Sequence, residues 1–398
     1  MLSVEEARAR ILSGVRLTQP ETVPLLEAAG RVPALASVRA EVDVPPFANS
    51  SMDGFALRAA DSPGELALAG EVAAGATALP TLVPGTALRI MTGAPIPPGA
   101  DTVIPLEEAE MLGGDRVRLP AAEVGRNVRP RGGDTQRGEE VELAAQPLAA
   151  ATLAVLASLG VGEVAVRRRP RVAILSTGDE LVPPGEALGV GQIHDANTVS
   201  LAAAVLEAGG EAVPLPRVRD DPAAIDAALR EGSAGADVIV ASGGVSVGRH
   251  DHVRAGIERL GELDFWRIAV QPGKPLAFGS IGDRPVIGLP GNPVSAFVTF
   301  ELFVRILLRG MLGLTGDGRL HLSALLDTAV PKDRDRRAYL RVIVRTAPEG
   351  WVASPAGGQG SAQLRALAAA NGLLVVPEGA PAGEAGARYD AILLGGIS

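Results

Sequence analysis

Between Arg171 and Gly310, four apolar, β-branched runs at 171–175, 211–215, 237–241 and 285–289 alternate with helical patterns at about 197–208, 222–231, 251–260 and 293–309. Strand and helix alternating at this spacing constrain the segment to a mainly parallel, doubly wound sheet. In such a sheet ligands sit beyond the carboxyl ends of the strands. Two helix starts are marked in the chain itself: Asp221-Pro222 and Asn292-Pro293 each read as an N-cap followed by proline at the first helical position.

The loops expected at those strand ends carry the chemistry. Ser242-Gly243-Gly244 leads toward Asp251, and Pro272-Gly-Lys-Pro275 and Leu289-Pro-Gly-Asn-Pro293 follow. Bare backbone amides with one Lys and one Asp suit a cleft for phosphorylated ligands, and the amides that open the helix after Gly291-Asn292 add an anion site if they face it. Ser176-Thr-Gly-Asp-Glu-Leu181 offers hydroxyls, amides and two acids. Asp179 and Glu180 there either hold Mg²⁺ and water or are favourable acids in a first helical turn. In Arg219-Asp220-Asp221 the second Asp is explained as a cap, which leaves Asp220 as the functional candidate. Asp251 reads equally as a cap, but the Gly-rich loop before it raises its standing. His250-Asp251-His252 resembles a metal triplet, yet neighbours on a helix start point in different directions, which argues against zinc. His194 and His321 are isolated and read as structural.

At 398 residues the chain exceeds one ordinary core. Ser3-x-x-Glu6 is a capping box opening a first helix to about Leu12, and a short helix is expected from Pro24 to Ala29. From Pro45 to about Pro147 short alternating segments broken by Gly and Pro suggest a small β-rich domain, followed by a helix over Leu148–Leu159. Beyond Gly318 the pattern is β again, a small barrel or sandwich interrupted by one short helix capped by Ser361.

Several classes are excluded. The longest apolar stretch, Val294 to Leu308, carries Glu301 and Arg305 and is too short to span a membrane. With no cysteine there is no disulfide, thiolate metal site or cysteine nucleophile. The N-terminus lacks a signal-peptide pattern, so a cytoplasmic protein is expected. A net charge of −9 argues against a nucleic-acid binder. Local basic clusters, Arg126/Arg129/Arg131/Arg137 and Lys332/Arg334/Arg336/Arg337/Arg341, suit a small anion or are solvated loop charge. Only two of the 37 basic residues are lysines, and one of them, Lys274, lies in a Gly/Pro loop. Coding bias toward Arg, Ala and Gly accounts for most of that scarcity, and a need for a compact ammonium in place of a planar fork is the further reading at Lys274.

Taken in order, Asn49-Ser-Ser-Met-Asp-Gly54, Arg89-Ile-Met-Thr-Gly-Ala-Pro95, the segment from Ser176, Ser242-Gly-Gly-Val-Ser-Val-Gly248, Pro272-Gly-Lys-Pro275 and Gly288-Leu-Pro-Gly-Asn-Pro-Val-Ser295 resemble MoeA-type molybdopterin molybdenumtransferases, the gephyrin E domain among them. The resemblance covers essentially the whole chain. It implies a multidomain α/β plus β fold: a discontinuous helical domain (1–44 and 138–169), an elongated β-rich domain (45–137), a MogA-like, doubly wound α/β domain (170–316) and a C-terminal β-barrel (317–398), assembled as a homodimer. The implied activity is Mg²⁺-dependent insertion of molybdate into the dithiolene of adenylyl-molybdopterin, with release of AMP. Alternatives are a non-catalytic molybdopterin carrier or scaffold and a MogA-like adenylyltransferase. Other cofactor-biosynthesis proteins are implied as partners; nucleic acid and membrane are not.

By motif, Glu180, Asp220 and Asp251 correspond to the acids that handle metal and pyrophosphate, and Asp53 and Thr92 to residues supplied by the β-rich domain. Lys274, Pro275, Arg341 and Ser361 correspond to the molybdate-facing group. The wider substrate-binding set is Ser176, Thr177, Ser242, Gly243, Gly244, Arg267, Gln271, Pro290, Gly291, Asn292 and Ser295. Gln271 departs from the pattern, because many relatives carry Lys there. Arg267 stands where others have Lys and can supply the missing charge.

Overall fold

The structure, a computed structural model, describes residues 1–245 and 251–395. Contacts divide the chain into two units: residues 1–21 with 167–398, and residues 22–166.

In the first unit a six-stranded sheet has the order Glu211–Pro214, Arg171–Ser176, Val238–Ser242, Arg284–Leu289, Ala277–Ile281, Glu262–Trp266. The first four strands are parallel, and the last two are added through antiparallel pairings. Strand period two sorts the side chains between two helical layers. Val172 and Ile174 pack with Leu201, Val205 and Phe303 on one face. Ala173 and Leu175 pack with Ile225, Leu229 and Ile257 on the other. Register then sets the site: Ser176 lies level with Ser242, and Ser242 with Leu289. The loops after these three strands therefore leave the sheet side by side.

Helix starts follow the local chemistry in part. Ser3 and Glu6 form the capping box of Val4–Ser13, which buries Val4, Ala7 and Ile11. Asp221 caps Pro222–Gly235, accepting from the Ala224 N–H at 2.8 Å. Asn292 precedes Pro293–Thr299 but makes no side-chain cap bond, and neither does Asp251 before His252–Leu260. The helix expected over 293–309 is not continuous: a π turn, Phe300–Val304, separates Pro293–Thr299 from Arg305–Met311. Thr299 bonds back to the Ser295 and Ala296 carbonyls, a pattern that bends helices. The wider turn also houses a buried ion network in which Glu301 accepts from Arg305 at 3.1 Å and from Arg319 at 2.9 Å.

The same unit ends in a closed five-stranded barrel. Arg337–Ala347 pairs with Gly350–Pro355, which pairs with His321–Leu326, then Arg388–Leu393, then Gly372–Val376, which returns to Arg337–Ala347. Val270–Gln271 adds in parallel to the edge of Arg337–Ala338, fastening the following Pro/Gly/Lys loop to the barrel. The short helix is Leu364–Ala369; its N-cap position is Gln363, so Ser361 does not cap it.

Residues 22–166 form the second unit. Its main sheet has the order Thr102–Pro105, Gly54–Leu57, Thr86–Ile90, Gly64–Val72, Arg116–Leu119, Glu110–Met111. Phe55 and Leu57 enter one apolar core, and Ala56 enters the other. Helix Ala150–Ser158 packs through Leu156 against Ala28, Val164 and Val166. The expected helix near Pro24 is a short 3-10 turn, Leu25–Ala28. No helix of the described residues is long and apolar enough to cross a membrane.

Candidate functional site

A cavity of about 740 Å³ opens where the parallel strands end. The loop after Arg171–Ser176 contributes Thr177, Gly178 and Glu180; the loop after Val238–Ser242 contributes Gly243 and Gly244; the third contributes Pro290, Gly291 and Asn292. Asp220, Ser242, Asp251 and Pro275 complete the expected wall. Glu180, Asp220 and Asp251 come from three separate loops and border the same space. Ser246 to Gly248 of the Gly-rich motif, and His250 of the His-Asp-His triplet, lie outside the described residues.

Two glycines are required by this geometry. At Gly178, φ is +152°, and an added Cβ would lie 2.7 Å from Oε2 of Glu180. The carboxylate thus folds back over the main chain, and any side chain at 178 would displace it. At Gly243, φ is +96°, and a Cβ would meet both the carbonyl and the hydroxyl oxygen of Thr177 at 2.9 Å.

Other expected residues are not among those that line the cavity. Ser176 is buried, with its hydroxyl 2.9 Å from that of Thr198. Ser295 is buried in the first helical turn, where its carbonyl accepts from Thr299. Arg267, at φ +80°, stacks its guanidinium 3.7 Å from the Trp266 ring centroid. Gln271 accepts from the Asp333 N–H at 2.8 Å, a strap between its loop and the barrel. Lys274 is exposed, and the Ser361 carbonyl accepts from the Val294 N–H at 3.2 Å.

Arg341 stands apart from the basic cluster that surrounds it in sequence. Arg336 pairs with Asp333, Arg337 with Glu5 and Glu378, and Lys332 donates to backbone carbonyls. Arg341 is fully buried, and its Nη2 donates to the carbonyls of Gly358 and Gly360 at 2.9 and 3.1 Å. Its Nε and Nη1 have no hydrogen-bond partner among the described residues. Burial pulls its pKa below the usual arginine value. The loop that holds it continues to Ala362 and Leu364 on the cavity wall.

In the unit 22–166, Asp53 and Thr92 are exposed neighbours joined by two hydrogen bonds at 2.6 and 2.8 Å. Thr92 thereby lowers the Asp53 pKa, first through its backbone N–H and then through its hydroxyl.

Sequence reasoning missed a second layer. Asp195 caps Ala196–Glu207 through the Thr198 N–H, and Asn197 of the first turn reaches the loops of Ser242 and Gly291. Asp195, three residues before Thr198, was a readable capping signal; nothing local marked Asn197. His194, expected to be structural, borders the cavity, with Nε2 3.0 Å from the Glu186 carbonyl.

Among the described residues no three His, Asp or Glu side chains converge as a ready metal cage. Carboxylates spaced around a cavity suit Mg²⁺, which binds through one or two carboxylates together with ligand phosphates and retained waters. The hard-oxygen donor set fits that ion, and with no cysteine it cannot provide a thiolate zinc site.

Three family models match in sequence: the MoeA N-terminal region (domain I and II) over residues 2–160, a probable molybdopterin binding domain over 173–310 and the MoeA C-terminal region (domain IV) over 323–394. Molybdopterin molybdenumtransferase 2 of Mycobacterium tuberculosis is 40% identical over 392 residues, 95% of this chain and 96% of the relative. Molybdopterin molybdenumtransferase of Haemophilus influenzae is 36% identical, with 95% of each chain covered. Among solved structures, the molybdopterin biosynthesis MoeA protein from Pyrococcus horikosii superposes with a TM-score of 0.84 at 34% identity, covering 100% of both chains.

Proposed function

The chain belongs to the MoeA family of molybdopterin molybdenumtransferases, and from that premise we propose that its cavity holds the pyrophosphate of adenylyl-molybdopterin, with molybdate delivered toward Arg341. The activity is transfer of molybdenum to molybdopterin in molybdenum cofactor biosynthesis. The observation that carries the finer reading is the meeting of three carboxylates and two Gly-rich loops at one set of strand ends.

The roles follow from charge. Backbone amides of Gly244 and Gly291 face phosphate oxygens, where charge grows as the bond to AMP breaks. Glu180 and Asp220 would hold Mg²⁺ against the pyrophosphate, and the ion would neutralise that developing charge. Asp251 accepts the proton of the attacking water. Molybdate, a dianion, suits a buried guanidinium whose Nε and Nη1 lack partners among the described residues, with Lys274, Pro275 and Ser361 around its approach. Arg267 and Gln271 serve on the substrate side, where Gln271 gives a neutral strap in place of a cation. The four-domain division, the homodimer and a cytoplasmic location belong to the same proposal.

The test is AMP release from adenylyl-molybdopterin by the purified protein. Release that depends on Mg²⁺ and molybdate supports the reading; consumption of ATP to adenylylate free molybdopterin would replace it with an adenylyltransferase.

A further inference from the structure

Asn197 has no assigned part in the site, yet its side chain joins two of the cavity's loops. It is 9% exposed and sits in the first turn of Ala196–Glu207. Its Nδ2 donates to the Ser242 hydroxyl at 2.6 Å and to the Gly291 carbonyl at 2.8 Å. Its Oδ1 is buried and has no partner among the described residues.

These bonds decide the direction of the next one. A carbonyl only accepts, so the amide must turn its NH₂ toward Gly291, and that orientation is fixed by the network. The second N–H then falls on Ser242, whose oxygen becomes an acceptor. Ser242 cannot return its own proton to Asn197. Its main chain is held as well, because the Ser242 carbonyl accepts from the Thr177 N–H at 3.2 Å and the Gly243 N–H donates to Leu289 at 3.2 Å. Ser242 borders the cavity, so its proton is left for an acceptor there. Keeping a buried amide oxygen unpaired is costly, which makes a purely packing role for Asn197 a poor explanation.

We infer that Asn197 is a positioning residue that aims the Ser242 hydroxyl as a proton donor at a phosphate of the bound ligand. The inference rests on the reading of this cavity as a phosphate site.

The experiment is a double-mutant cycle on AMP binding, measured by calorimetry on the full chain, with adenosine as the ligand lacking phosphate. Asn197→Ala and Ser242→Ala should each weaken AMP by about ten- to a hundredfold, the range for a bond to a charged group. The double variant should be no weaker than Ser242→Ala alone, because Asn197 acts through Ser242. Adenosine binding should be unchanged. Asn197→Asp gives a second, pH-dependent readout: its carboxylate accepts the hydrogen bond of the Ser242 hydroxyl and repels the phosphate. AMP binding relative to wild type should then be poorest near neutral pH and recover as pH is lowered and the new acid protonates. Additive losses in the cycle, equal losses for adenosine, or an Asn197→Asp ratio flat with pH would each overturn the inference while leaving the cavity's function intact. Failure of the wild-type protein to bind AMP would overturn the phosphate reading itself, and this inference with it.

Discussion

Thr92 gives both its backbone N–H, at 2.6 Å, and its hydroxyl, at 2.8 Å, to the same carboxylate oxygen of Asp53. Two donors on one oxygen favour the charged form, and the Asp53 pKa is lowered, first by the N–H and then by the hydroxyl. A depressed folded pKa contributes stability that is present above the unfolded value, about 3.9, and lost as pH falls through the folded value. Thr92→Val removes the hydroxyl and keeps the N–H. An NMR titration of Asp53 should show its midpoint rising toward the ordinary aspartate value in that variant, and an unchanged midpoint would contradict this account.

Asp221 and Asp251 both precede helices, but only Asp221 accepts a cap bond from its own helix. Asp221→Ala should therefore lower stability by about 0.5–2 kcal/mol. Asp251→Asn should abolish AMP release while ligand binding persists. Parallel melting curves and turnover assays check the contrast; wild-type turnover in Asp251→Asn removes it from the mechanism.

Arg341 is a buried cation whose guanidinium, among the described residues, bonds only to carbonyls, so its desolvation is poorly offset in the free protein. Replacing such a charge with an apolar side chain of similar length is often neutral or stabilising. Arg341→Met should equal or exceed wild type in denaturation midpoint, yet lose stimulation of AMP release by molybdate. A marked loss of stability would show that the guanidinium is structural.

Glu301 faces both Arg305 and Arg319 inside the unit. Glu301→Ala leaves those guanidiniums without their shared carboxylate and should cost about 3–5 kcal/mol in urea unfolding. A loss below about 1 kcal/mol would mean that water or Glu207 takes over the pairing.

The parallel core of the α/β segment was legible because strand period, helix period and the Asp221-Pro222 signal all agree there. The strands Ala277–Ile281 and Glu262–Trp266 escaped notice, since antiparallel edges need no crossover helix to announce them. The break at Phe300–Val304 escaped too: an apolar run looks helical whether or not one of its turns widens. Glu180, Asp220 and Asp251 could be picked out because each follows a strand. Asn197 could not, because its partners are 45 and 94 residues away along the chain. Arg341 lies among surface arginines in sequence, and only the closure of the barrel buries it.

The central claim is that one cavity couples cleavage of the pyrophosphate to delivery of molybdenum. The most direct measurement follows AMP and pterin-bound molybdenum in a single reaction of purified protein with adenylyl-molybdopterin and Mg²⁺, with and without molybdate. The account predicts equal amounts of the two products when molybdate is present, and neither with Asp251→Asn. AMP released without molybdenum incorporation, or molybdenum incorporated with the adenylyl group still attached, would contradict it.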